Sequence, residues 1–191
     1  MPSQSLLRWR NEGLGALDEI EAAHAAIGGT GRGRRYATQQ VNQAYVVLLS
    51  SRFQAFCRDL HSETVAEIIR AAPPGYALPL QGLTAGRKLD HGNPNSGNIG
   101  HDFTRLGMDI WADVYAMHAR NQRRRELLDE MMEWRNAIGH QDFNKPRLRG
   151  RKTILLKEVQ QYRSSCDALA AFFVRAALDH IHGVAGATAG W

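Results

Sequence analysis

Arg135, Asn136 and His140, in the string WRNAIGH from Trp134 to His140, are the side chains whose types best fit chemistry on a phosphate group. A guanidinium presents permanent charge and a planar fork of donors that matches phosphate oxygens. An imidazole moves protons near neutral pH, and an amide can orient either group. Arg135 lies seven residues after Leu128, four after Met131 and three before Ile138, inside the apolar stripe of a helix. Burying that charge without partners would cost several kcal/mol. Two readings of it stand open. Its aliphatic stem covers core while the guanidinium reaches solvent or a carboxylate, or a polar ligand or partner subunit meets the charge. His140 follows by five residues, about 140° around an ideal helix, so the pair shares a face only if the helix stops first. Gly139 is expected to supply that stop, as glycine does in the left-handed turn at helix ends. The imidazole would then stand just past the helix C-terminus, either as a cap for carbonyls or converging with Arg135 and Asn136 on a phosphate.

The elements that must position these residues read as helices. Leu7, Leu14, Leu17, Ile20, Ala23 and Ile27 mark one face of a helix over residues 4 to 27. The glycine- and arginine-rich run GGTGRGRRY, Gly28 to Tyr36, follows as a loop. Tyr45, Leu48, Leu49, Phe53, Phe56, Leu60, Thr64 and Ile68 keep a 3.6-residue period, predicting a long buried helix from Thr38 to about Ala72 that Pro73 and Pro74 end. Residues 73 to 100 are expected to be irregular, with His91 and His101 flanking an Asn-rich stretch that folds over the site as a lid. A helix from Asp102 to about Met117 comes next. Then Arg123 to Arg125 open a helix whose inner face carries Leu127, Leu128, Met131, Met132 and Ile138. Val159, Tyr162, Cys166, Leu169, Phe173, Ala176 and Ile181 mark a last long helix, and only Thr153 to Leu156 suggests a strand. The class is all-α.

With 191 residues, 43% hydrophobic and 23% charged, the chain suits a single globular domain across 1–191. The net charge of +5 favours polyanionic partners at low salt. Arg123, Arg124, Lys145, Arg147 and Arg149 are the candidates for contacting an RNA backbone, Arg151 and Lys152 extending the second basic run. Walker loops, a GxGxxG turn after a strand, and serine, lysine or cysteine nucleophile motifs are absent. Cys57 and Cys166 fall on apolar helical faces and are expected to stay reduced. His180 and His182 point in different directions on a helix, so neither a metal nor another cofactor is expected. No run is apolar enough to span a bilayer, and no secretory signal opens the chain, so a cytoplasmic location is expected.

The spacing Arg135, Asn136, His140 near the end of a penultimate long helix resembles the R-polar-xxx-H motif of the HEPN superfamily. The segments YVVLLSSRFQAFCRDL (Tyr45 to Leu60) and NPNSGNIGHDFTRLGMDIW (Asn93 to Trp111) are similar to the RiboL-PSP type of HEPN domain. The resemblance covers roughly residues 40 to 182, leaving the first helix and the basic Gly-rich loop of 1–35 outside it. It implies a bundle of four to five helices, a two-fold homodimer, and metal-independent RNA cleavage to 2′,3′-cyclic phosphate ends with Arg135, Asn136 and His140 as the catalytic set. It further implies a toxin or phage-defence effector, held in check by an antitoxin or regulatory protein, or else a catalytically silent module that binds RNA or a partner protein. Phe143 stands where members controlled by a nucleotidyltransferase antitoxin carry a modifiable tyrosine.

Overall fold

The computed structural model describes residues 3–27, 35–71 and 80–185. Among them every regular element is helical and no strand occurs. In order these are α1 (Gln4–Arg8), a π-turn (Trp9–Gly13), α2 (Leu14–Ile27), α3 (Arg35–Ala71), α4 (Leu80–Thr84), α5 (Lys88–His91), α6 (Ser96–Thr104), α7 (Ile110–Met117), α8 (Arg120–His140) and α9 (Leu156–Ala185). Of the loop expected at Gly28 to Tyr36, residues 28–34 lie outside the described residues and Arg35 and Tyr36 instead open α3, while the stop at Pro73 and Pro74 also lies outside them.

The long helix α3 forms the spine, packing against α9, α2, α8 and α1. Tyr45, Leu49, Phe53, Phe56, Cys57 and Leu60 are buried at the expected period, while Leu48 and Ile68 are only partly buried. Four elements meet on one aromatic cluster. Trp9 packs edge-on to Phe53 at 5.7 Å, Phe53 lies 6.3 Å from Phe173, and Phe173 meets Trp111 edge-on at 5.3 Å. The expected single N-terminal helix is interrupted where the π-turn swings Trp9 over Gly13, at which a Cβ would come within 3.1 Å of the indole. The Trp9 indole N–H then reaches the Asp167 carboxylate at 3.0 Å. A second tie is polar. Tyr45, fully buried, donates to Glu21, which also accepts from Arg163 at 2.8 Å, and Arg163 donates to Asp18 at 2.6 Å. Burial and the Glu21 contact push the Tyr45 phenol well above its ordinary range.

Several boundaries differ from expectation for identifiable reasons. The helix expected over 102–117 is two helices, because Gly107 adopts φ +80° and Asp109 caps the start of α7 by accepting from Ala112 N–H at 3.1 Å. Gly100 is inside α6, whose cap is Asn95. The stretch 80–100, expected to be irregular, carries α4, α5 and the start of α6. Thr153 to Leu155 form no strand. Gln39 and Asn42 of α3 satisfy that extended backbone instead, Gln39 accepting from Ile154 N–H at 3.2 Å and Asn42 donating to Ile154 C=O at 2.8 Å. Cys57 and Cys166 are free and buried, burial pushing both thiols far up, with Cys166 adding to the shift at Cys57. No described helix is long and apolar enough to cross a membrane.

His61, fully buried on α3, donates Nε2–H to the Asp102 carbonyl at 3.0 Å and packs edge-on to Phe103, while its Nδ1 has no partner. Burial, with Arg87 and Arg105 adding to it against the Asp102 contact, lowers its pKa to about 4. Between pH 6.5 and 4 the unfolded chain therefore binds a proton at this residue that the folded chain refuses. Stability from His61 is complete above pH 6.5 and falls as pH drops, by up to about 1.4 kcal/mol per pH unit. Urea unfolding across this window should show a steeper pH dependence for the wild type than for His61→Gln, and parallel curves would refute the assignment.

Candidate functional site

Helix α8 is amphipathic: Leu127, Leu128, Met131, Met132, Trp134 and Ala137 are buried, and Ile138 is partly buried against the core. Arg135 sits inside this stripe near the helix end and is half-buried. Its Nη1 donates to Asn136 Oδ1 at 3.3 Å, and among the described residues no carboxylate pairs with it. The same Asn136 Oδ1 accepts from Asn93 Nδ2 at 2.5 Å. Because a guanidinium can only donate, the atom facing Arg135 must be oxygen, and the Asn136 amide N–H groups have no hydrogen-bond partner among the described residues.

Gly139 does not end the helix. Helix α8 runs through His140, and Gln141 takes the left-handed turn at φ 53°. The Gln141 side chain donates to Ile138 C=O at 2.8 Å, so the residue at the turn itself caps an otherwise free carbonyl. His140 is therefore still helical and lies about 140° from Arg135, so the expected convergence of the two within one chain does not form. Asn136 stands between them, four residues before His140 on nearly the same face. The imidazole is exposed with no hydrogen-bond partner among the described residues. Nearby, the Asp142 carboxylate accepts from Lys145 Nζ at 2.6 Å and from Asn144 N–H at 3.0 Å, which holds that carboxyl below the usual range with His140 acting in the same direction.

Asn93 escaped the sequence reading as a site residue, although it opens one of the segments that carried the resemblance. What places it is long-range. Gln54 Nε2 donates to Leu89 C=O at 2.6 Å and Gly92 C=O at 2.8 Å, and Asn98 Nδ2 donates to Asn93 C=O at 2.8 Å. Asp129, seven residues before Asn136 on α8, accepts from Ser96 N–H at 2.9 Å and Ser96 Oγ at 2.8 Å. The segment expected as a lid is thus a wall fastened to α3 and α8. His101 bonds the buried Asp102 at 3.1 Å, and His91 is exposed on α5.

The basic candidates separate. Arg123, Arg147 and Arg149 line one groove together with Arg151. Arg124 instead lies 5.5 Å over the Phe172 ring and donates to Asn121, its pKa lowered by burial, and Lys145 is engaged by Asp142. Phe143 meets Trp134 edge-on at 6.2 Å. His180 bonds the Leu106 carbonyl at 2.9 Å, and among the described residues no three His, Cys, Asp or Glu side chains gather to hold a metal ion. No family model, curated protein or solved structure matches the chain.

The Asp129 clamp is expected to matter for this wall. Asp129→Ala removes two charge-assisted bonds and should cost about 2 kcal/mol, lowering Tm by about 4–8 °C for a chain of this size. A melting curve that coincides with the wild type would show that Ser96 is held by something else.

Proposed function

We propose that this chain is a metal-independent endoribonuclease of the HEPN type, acting as a two-fold dimer. The observation that carries the reading is Arg135, a half-buried arginine bonded only to Asn136 Oδ1, with an exposed His140 further along the same helix. A partly desolvated guanidinium lacking a carboxylate is suited to an anion supplied from outside the chain. Phosphate fits its fork, and the free Asn136 amide adds a further donor.

In this reading a ribose 2′-oxygen attacks the adjacent phosphorus, the bond from phosphorus to the 5′-oxygen breaks, and a 2′,3′-cyclic phosphate and a 5′-hydroxyl result. His140 takes the proton from the 2′-hydroxyl or gives one to the departing 5′-oxygen. Arg135 stabilises the charge growing on the phosphorane, and Asn136 positions the phosphate or the imidazole. Since Arg135 and His140 lie about 140° apart on one helix, a centre using both draws them from two chains, which a two-fold interface pairing the α8 ends would provide. Such an activity must be restrained in its cell, which fits a toxin or phage-defence effector governed by an antitoxin or regulatory protein.

The test is incubation of wild type, Arg135→Ala and His140→Ala with total RNA and tRNA in EDTA, with analysis of product ends. The wild type should yield 2′,3′-cyclic ends and leave DNA of the same sequence intact, since DNA lacks the attacking hydroxyl. Arg135→Ala should be slower by about 10²- to 10³-fold. RNA left whole by the wild type would retire catalysis in favour of a module that binds RNA or a partner protein. A monomer at working concentration in light scattering would remove the shared centre.

A further inference from the structure

A groove of about 730 Å³ runs between α8 and the loop joining it to α9. Arg123, Glu126 and Glu130 form one wall at helical spacing, and Pro146, Arg147, Arg149 and Arg151 form the other. Four guanidinium groups and two carboxylates line it, and Glu133 and Glu158 from outside the lining pair with Arg147 and Arg151. The loop wall is built rather than draped. Leu148 is fully buried beneath it, Arg147 N–H donates to Glu133 at 2.9 Å, and Arg151 N–H donates to Leu148 C=O at 2.9 Å.

The carboxylates hold the arginines in place without exhausting them. Arg151 is fixed by Glu158 at 2.6 Å and Glu130 at 3.4 Å and lies 5.5 Å over the Trp134 ring, and Arg147 reaches Glu133 at 3.4 Å. Each guanidinium carries five N–H donors, so one carboxylate contact leaves others for a ligand. Arg123 has only an exposed partner three residues on, Glu126, of the kind that contributes little. Arg149 is exposed and has no carboxylate partner among the described residues. Its backbone is in the left-handed region at φ 51°, next to Gly150 at φ 75°. An L side chain there is strained, and the strain falls on the residue that presents the unpaired charge.

The groove also has a direction. Arg123, Glu126, Glu130 and Glu133 follow one side of α8, and His140 lies seven residues beyond Glu133, about 20° round and about 10 Å further along the axis. We propose that this groove binds the phosphodiester backbone of single-stranded RNA on one side of the cleaved bond. The proposal rests on the ribonuclease reading for the identity of the polymer. It gives the enzyme a substrate several nucleotides long, held chiefly by Arg123 and Arg149 with Arg147 and Arg151 behind them.

Binding is measured on His140→Ala, so that RNA survives, by fluorescence anisotropy of a labelled single-stranded RNA across a salt series. Changing Arg123→Gln and Arg149→Gln together should weaken binding and make the salt slope shallower by about 1.4, roughly 0.7 for each lost phosphate contact. Arg175→Gln, on an exposed stretch of α9 beside Asp179, should leave the slope unchanged. Matching circular dichroism spectra confirm that the variants fold. An unaltered slope in the double variant overturns the proposal, as does polyglutamate displacing RNA as well as unlabelled RNA does, since the groove would then suit an acidic protein. Cleavage is followed in parallel with His140 intact, for the chain with and without the Arg123→Gln and Arg149→Gln pair. Cleavage with no dependence on the groove retires this proposal alone, whereas groove-dependent binding without cleavage retires the ribonuclease reading and keeps the RNA site.

Discussion

A short helix cannot satisfy the N–H groups of its own first turn, and in this protein that constraint falls hardest on α5 and α6. Helix α5 spans only four residues, and its N-cap residue, Arg87, makes no side-chain cap bond. Asp102, fully buried on α6, caps it instead, accepting from Lys88 N–H at 2.8 Å and Leu89 N–H at 2.9 Å. The start of α6 is met in turn by Asp129 from α8. Two carboxylates borrowed from other elements therefore seat the 87–104 stretch, one within it and one joining it to α8. Asn93 lies between these two anchors, and its contact with Asn136 follows from them.

The same pattern separates what the sequence makes legible from what it does not. Helical class and most of the core are written in local periodicity. Phe53, Phe56 and Leu60 on α3, and Leu169, Phe173 and Ala176 on α9, are buried where a 3.6-residue repeat puts them. Arg135 is legible for the same reason, as a charged residue within an apolar stripe. Asn93 is not, because its role depends on Gln54, Asn98 and Asp129, which are far from it or ordinary in sequence. Local chemistry also misleads at the end of α8. Glycine marks a helix end when a left-handed residue is needed there, yet Gln141 takes that conformation and repairs Ile138 with its own side chain.

Adjacent charges show a related limit. Arg123 and Arg124 are neighbours in sequence but about 100° apart on α8, so one faces the groove and the other lies over Phe172 on α9. A basic run therefore describes two surfaces at once. The loop arginines are likewise shared between tasks, Arg151 bridging α8 and α9 through Glu130 and Glu158 while lying over Trp134. The charge that attracts a polyanion also stitches the last two long helices together. The groove and the bundle are accordingly not independent parts.

The two cysteines sit on the helices whose contact dominates the bundle, Cys57 on α3 and Cys166 on α9, sealed from solvent and protonated. A thiol in that condition is a poor nucleophile and a poor metal ligand, and an alkylating reagent reaches it only when the core around it opens. The chain thus carries its own clock. The rate at which its thiols become modified in native buffer reports opening of the core around them, with no substitution made in the sequence.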